Sequence, residues 1–279
     1  MITAATYNIH KAHSVMRGCH LSALKNGLDE LNADLICLQE VQDINTKRAI
    51  QSLSLHGASQ VSALQGERYP YIAYGANAVY AHGNHGNAIL SKYPIRMWQN
   101  LDVSDHRLEQ RGILHAVLVH PRHGEVHVVC VHFGLFNVSR IRQAKALIHH
   151  VQHNVPENAL LVIAGDFNDW SLHVHQLLTQ ALGLKDAIET MQLGQAQQQH
   201  GRIRQLTQQL AQPFKKIRSS THLDEHQKQV GRTFPSVAPW FKLDRLYVRG
   251  FEIKEAHIKS GRVWRERSDH APICAVLTV

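Results

Sequence analysis

The sequence predicts an α/β fold, and three observations carry that prediction. Short apolar runs recur along the chain and stop at polar residues, as in Ala159-Leu-Leu-Val-Ile-Ala-Gly-Asp-Phe-Asn168; such runs read as strands buried on both faces. Two of them, within residues 2–41, flank a stretch of helical period, the pattern of a βαβ unit. The second half is strand-rich, and neither an internal repeat nor a linker divides the chain, so residues 1–279 are expected to form one domain.

Taken in order, Ile2-Thr-Ala-Ala-Thr-Tyr-Asn-Ile9 is the first expected strand, ending in Asn8 and His10. Leu21, Leu24, Leu28 and Leu31 recur at three and four, the spacing of an amphipathic helix. Leu35-Ile-Cys-Leu38 is a second buried strand that runs out at Gln39-Glu40-Val41, and residues 43–65 carry little information. Tyr69–Tyr74 reads as a short aromatic strand, and Gly75–Gly86 as a polar loop holding His82, Asn84 and His85. Asn87–Ser91 and Lys92–Arg96 follow as strand and turn, and Asp102–Gln110 is charged and expected to be exposed. Strands over Arg111–Val119 and Glu125–His132 are joined by His123-Gly124, a hairpin signal. Ile141, Ala144, Leu147, Ile148 and Val151 predict a helix over 139–153, which leads to the strand ending at Asp166 and Asn168. Leu172–Met191 is expected to be helical, then irregular. Lys242–Val248 is a strand carrying Asp244 within it, and Arg267-Ser-Asp-His-Ala-Pro272 precedes the last strand, Ile273–Val279.

Lysines and arginines outnumber acidic residues by 30 to 22, a net charge of +8. That balance favours anionic partners: nucleic acid, anionic lipid head groups or phosphorylated small molecules. No apolar run is long enough for a transmembrane helix, and no secretory signal opens the sequence, so a cytoplasmic protein is expected. The four cysteines lack Cys-x-x-Cys spacing, which disfavours zinc and redox roles. The least usual region is a basic, Gln-rich insertion at about 192–228, where Ile203, Leu206, Leu210, Phe214 and Ile217 recur at roughly helical spacing. It reads as an amphipathic helix packed on the body; the alternative is a surface arm touching lipid or nucleic acid, with peripheral attachment at the membrane.

Polar residues able to serve chemistry sit at the margins of successive buried strands: Asn8, Glu40, Asp166 with Asn168, and Asp269, joined by His132 and His270. Ligand chemistry in open α/β sheets collects at such margins. Gly165-Asp-Phe-Asn168 alone is as good a turn as it is a site. The ordered set Thr6-Tyr-Asn8, Leu38-Gln-Glu-Val41, Gly86-Asn-Ala-Ile-Leu-Ser91, Val131-His132, Gly165-Asp-Phe-Asn168, Leu243-Asp-Arg-Leu246 and Ser268-Asp-His270 is far more specific. In that order the chain resembles the endonuclease/exonuclease/phosphatase superfamily, the fold of pancreatic deoxyribonuclease, and within it the small bacterial members.

The resemblance implies a four-layer α/β sandwich, two packed mixed β-sheets flanked by helices. It also implies a Mg²⁺-dependent phosphodiesterase, with Mn²⁺ able to substitute, acting by in-line attack of water on nucleic acid or a phospholipid head group. The alternatives are a phosphatase acting on a small molecule such as an inositol phosphate, and a catalytically silent anion-binding module on the same fold. By likeness, Glu40, Asn8 and Asp269 hold the metal or its water shell, and a hard carboxylate such as Glu40 suits Mg²⁺. His270 is the general base or binds a phosphate oxygen, with Asp244 orienting its imidazole. Asp166 and Asn168 position the attacking water and a non-bridging oxygen, His132 is a general acid or oxyanion donor, and Arg111 clamps the phosphate with Asn168. Tyr7 and Phe167 are expected to be core packing.

Overall fold

The computed structural model describes residues 1–14, 18–19, 21–45, 59–106, 109–196, 231–237 and 239–279. The Gln-rich insertion from residue 197 onward, with the helical spacing at Ile203–Ile217, lies outside the described residues. Fourteen strands are present among those described: β1 Ile2–Asn8, β2 His13–Ser14, β3 Gly18–Cys19, β4 Leu35–Asn45, β5 Tyr71–Tyr80, β6 Gly83–Ser91, β7 Ile95–Asp102, β8 Gly112–His120, β9 Gly124–His132, β10 Leu160–Asp166, β11 Lys185–Asp186, β12 Asp244–Arg249, β13 Glu252–Ile258 and β14 Ile273–Thr278. Helices are α1 Leu21–Leu31, α2 Gln60–Leu64, α3 Asn137–Asn154, α4 His173–Leu182, α5 over residues 187–196 and α6 Arg262–Arg265.

Two six-stranded mixed sheets form, in the orders β13-β14-β1-β4-β6-β5 and β11-β12-β10-β9-β8-β7. Each has one parallel pair near its centre, β1 with β4 and β9 with β10, and antiparallel neighbours elsewhere. The continuous apolar runs follow from this layering. Side chains alternate across a strand, so a strand covered on both faces needs apolar residues at every position. Thus Ala4, Leu35, Cys37, Val128, Cys130, Val162 and Ala164 face the layer between the sheets. Ala5, Tyr7, Ile36 and Leu38 turn the other way, under α1 and Trp264. Val129, Val131, Leu161 and Ile163 do the same under α3 and α4. The leucines read as helical, Leu21, Leu24, Leu28 and Leu31, are all buried on α1, and burying each contributes about 1.5–3 kcal/mol.

Several local expectations are corrected. Residues 75–86 are not a loop: β5 continues to Tyr80, turns at Ala81-His82, and β6 returns from Gly83, so His85 stands on a strand opposite Gln42. Glu40 does not end its strand either. β4 runs on to Asn45, and the register shifts between Leu38 and Val41, with Glu40 at φ 57° in that irregularity. A bulge re-aims a side chain that regular pleating would direct elsewhere. Asp244 starts β12 rather than lying inside it. In the segment expected to be exposed, Glu109 is buried and accepts from the Leu135 amide at 2.6 Å. The edge strands β7 and β13 have half-buried and exposed positions in mixed order, which gives too little apolar pattern to find them.

Gly165 tests how closely the strands meet beside the site. Its φ is +152°, and a Cβ there would lie 2.0 Å from the Val131 carbonyl oxygen of the neighbouring strand. Backbone cannot move away as a side chain can. Gly165→Ala is therefore expected to destabilise the protein by about 2 kcal/mol or more, measured as a lower midpoint in urea unfolding; an unchanged midpoint would contradict the packing described.

Candidate active site

The polar strand margins converge at one end of the two sheets. In the second sheet the register sets His132 and Asp244 on either side of Asp166, because β9 pairs Asp166 with His132 and β12 pairs it with Asp244. β12 runs antiparallel to β10, so the first residue of one stands beside the last of the other. In the first sheet, Asn8 ends β1 next to β4. The Asn8 side-chain amide closes the gap between the sheets, donating to Asp166 Oδ2 at 3.1 Å and to Glu40 Oε1 at 3.4 Å.

Asp166 Oδ2 is the hub. Besides the Asn8 amide, it faces His132 Nε2 and His270 Nε2, each at 3.7 Å. Its other oxygen accepts from the Asn168 amide at 3.0 Å. The 3.7 Å separations exceed direct hydrogen bonds, so both imidazoles aim at the carboxylate without engaging it. Asp244 Oδ2 lies 2.8 Å from His270 Nδ1, and Asp244 Oδ1 is buried with no partner among the described residues. The His270 backbone is fixed by the Ser268 hydroxyl, and Phe234 lies against its ring, with 4.8 Å between centroids.

Protonation follows from these neighbours. Burial alone would favour neutral His270, but the carboxylates of Asp244 and Asp166 outweigh it and push the imidazole up to about 10. Burial raises Asp166 to about 6, against the pull of the His270 charge. His132 is held well below the usual imidazole range by burial, then by Arg111 and His270. Near neutral pH the cluster thus holds an imidazolium, a carboxylate and a neutral imidazole within reach of one point.

On the first-sheet side, Asp269 lies 3.0 Å from His10 Nδ1, and Lys11 Nζ is 3.7 Å from Glu40 Oε2. The hydrogen bond to Asp269 raises His10, and in return holds Asp269 below the carboxylate range although burial opposes it. His10, Lys11 and Ala12 all have positive φ, at 45°, 57° and 51°. Consecutive non-glycine residues in that region are strained, and such strain gathers at functional sites. The sequence reading missed Lys11 and gave His10 no role; their position directly after the Asn8 motif was the available signal. Half-buried His85, read as a polar-loop histidine, lies on β6 instead; among the described residues its Nδ1 has no partner, and burial, then Lys11, lowers its pKa to about 4.

Arg111 and Asn168 meet through a shared acceptor. Arg111 Nε and Asn168 Nδ2 both donate to the Phe133 carbonyl, at 3.1 and 3.0 Å, and Arg111 Nη1 donates to Gln110 O at 3.0 Å. Tyr7 and Phe167 are fully buried core residues, as expected.

Two groups of ligating side chains among the described residues lie close enough to share an ion: Asp166, Asp244 and His270, and separately His175, Asp186 and Glu189. In the second, Arg245 already supplies the cation, with Nη1 2.8 Å from Asp186 Oδ2 and 3.2 Å from Glu189 Oε1. Glu40 differs. Among the described residues its oxygens have only the long contacts to Asn8 and Lys11, which leaves a hard, weakly engaged carboxylate at the cleft. That donor chemistry fits a divalent cation with a preference for oxygen.

Residues 5–270 match the model of the Endonuclease/Exonuclease/phosphatase family. The chain belongs to this family. A curated relative, the uncharacterized protein YbhP of Escherichia coli K12, is 34% identical over 272 residues, covering 97% of this chain and 93% of YbhP. Among solved structures, an endonuclease/exonuclease/phosphatase from Beutenbergia cavernae superposes with a TM-score of 0.72 at 15% identity, covering 100% of this chain and 71% of that one. A mannosyl-6-phosphatase of Bacteroides thetaiotaomicron, Bt3783, gives 0.66 at 14% identity with 100% of both chains covered. These likenesses extend the family's fold over the whole chain, and members of the family are hydrolases of phosphate esters.

Proposed function

We propose that this protein is a Mg²⁺-dependent phosphodiesterase, with Mn²⁺ able to substitute, cleaving a nucleic-acid or phospholipid phosphodiester by in-line attack of water. The observation that carries the reading is the single hub at Asp166 Oδ2, on which Asn8, His132 and His270 converge from both sheets. Asp166 accepts the proton of the attacking water, because its burial makes it a stronger base than an ordinary carboxylate. His270, kept charged by Asp244, stabilises the negative charge that grows on the phosphate oxygens. Neutral His132 presents Nε2–H towards the leaving oxygen, and Asn168 and Arg111 orient a non-bridging oxygen. Glu40, with Asn8 and Asp269, would hold the metal. A bound divalent cation would neutralise phosphate charge and make its water more acidic.

Of the two readings left open for His270, a base or a ligand of the phosphate oxygen, its raised pKa favours the second. The phosphatase reading draws support from the likeness to Bt3783, a mannosyl-6-phosphatase; a phosphomonoester assayed beside the diester separates the two. Hydrolysis of bis(p-nitrophenyl) phosphate is expected to require added Mg²⁺ or Mn²⁺ and to stop in EDTA. Glu40→Gln should raise the Mg²⁺ concentration needed for half-maximal rate about tenfold or more. Hydrolysis that is indifferent to EDTA would overturn the metal assignment.

A further inference from the structure

An apolar ridge runs along the second-sheet side of this cleft. It is built by the three segments that carry or adjoin the candidate catalytic groups. After His132 come Leu135, Phe136 and Val138, which are 57%, 63% and 60% exposed. After Asn168 come Trp170 and Leu172, and before Asp244 stand Val237, Trp240 and Phe241, all exposed. The segments touch. The Ser171 hydroxyl is 3.4 Å from Asn137 Oδ1, and Trp170 packs edge-on against Phe241 with 5.1 Å between centroids. The last segment is tied to the site as well: Phe241 and Trp240 both donate backbone hydrogen bonds to Phe234 O, and Phe234 lies on His270. Contiguous exposed apolar surface of this kind marks an interaction site.

Beside Trp240 opens a cleft of about 570 Å³ whose walls include Arg232, Lys259 and Arg265. Among the described residues these three cations have no ion-pair partner. A surface that combines uncompensated positive charge with exposed tryptophan fits either a bilayer interface or single-stranded nucleic acid. The aliphatic half of the ridge decides between them. Leu135, Val138, Leu172 and Val237 have no ring to stack on a base, but they enter the head-group and acyl boundary of a bilayer readily.

We propose that this ridge docks the cleft onto an anionic phospholipid bilayer, so that the substrate is a phosphodiester of a lipid head group. The substrate half rests on the phosphodiesterase reading; the docking half does not. Cleavage would add one water across a P–O ester bond, the hydroxyl staying on phosphorus and the proton leaving with the alcohol, to give a phosphomonoester and an alcohol. Tryptophan and aliphatic side chains at the rim would hold the cleft at head-group depth, and the basic wall would draw the protein to negative lipid.

The test is flotation of the full chain with vesicles of phosphatidylcholine alone or mixed with phosphatidylglycerol, beside hydrolysis of soluble bis(p-nitrophenyl) phosphate. Wild-type protein is expected to float with the mixed vesicles and weakly with the neutral ones. The double variants Val237→Ser/Trp240→Ser and Leu135→Ser/Phe136→Ser should each lower the vesicle-bound fraction about tenfold or more. Thermal midpoints close to wild type would show that the exposed substitutions leave the fold intact, and turnover of the soluble diester should be unchanged. Failure of the wild type to float, or flotation of both folded variants as well as wild type, overturns the docking proposal. So does binding to single-stranded DNA, abolished by the same variants, in place of vesicle binding. Loss of soluble-diester hydrolysis in the wild type would instead sink the enzymatic reading and leave the docking result standing.

Discussion

Replacing Asp166 by asparagine is expected to lower kcat for an aryl phosphodiester by about a thousandfold or more while leaving KM nearly unchanged. The substitution keeps size and burial, so the chain should fold. It removes the buried carboxylate at the hub, the group assigned to accept a proton from water near neutral pH. The new amide also carries no charge for the two imidazoles to face, and it keeps only one of the two acceptor oxygens that the Asn8 side chain and the Asn168 backbone use. His270→Ala should cost a comparable factor, since it deletes the charge that Asp244 maintains 3.7 Å from the hub. Groups that act on one step are not additive. The double variant should therefore be little worse than either single one. Steady-state kinetics on the three proteins measures this, and a double variant whose loss equals the product of the single losses would separate the two groups into independent roles.

Acid should unfold the protein well before its carboxylates alone would require. Three histidines are buried between the second sheet and α3, with His150 Nε2 3.0 Å from His115 Nδ1 and His115 Nε2 3.0 Å from His127 Nδ1. The amide nitrogen of Asn154 faces His150 Nδ1 at 3.4 Å, so each neutral ring can donate to the next in one direction. A proton on His115 would leave two donors facing each other. Burial, then His150 and His127, lowers His115 to about 3, and burial lowers His127 and His150 as well. A histidine whose pKa is lower in the folded state binds its proton better when unfolded. Stability is then full above the unfolded value of about 6.5 and declines as pH falls towards the folded value. For His115 alone the loss at pH 5 is about 2 kcal/mol. Urea midpoints measured from pH 7.5 to 4.5 should fall steeply, and His115→Gln should flatten the dependence. A flat profile in the wild type would contradict the neutral chain.

How much of this was legible beforehand depends on whether a residue's neighbours are local. The buried strands were readable because a two-face core demands apolar residues at every position, as in Leu161–Ala164 and Val128–Val131. Helix α1 was readable from four leucines on one face. The site motifs were readable because Asn8, Asp166, His132 and His270 sit at or beside strand margins. What was hidden depended on distant partners. The bulge that turns out Glu40 is set by the register against β6. Buried Glu109 is explained by the amide of Leu135 across a loop. The His115–His127–His150 chain unites two strands and a helix, and in the sequence each is one histidine among many. The ridge was invisible for the same reason, since Phe136, Trp170 and Trp240 become neighbours only when three loops gather at one end of a sheet.

Towards the site, short side chains at Cys37, Cys130 and Ala164 lie in the layer between the sheets. They let the two sheets come close enough for the Asn8 amide to reach Asp166 at 3.1 Å. Their small volume is therefore a spacer that sets the distance between the two halves of the candidate site. A methylene or two added at Ala164 would act as a wedge, parting the Asn8 amide from Asp166 with every side chain of the candidate site still present.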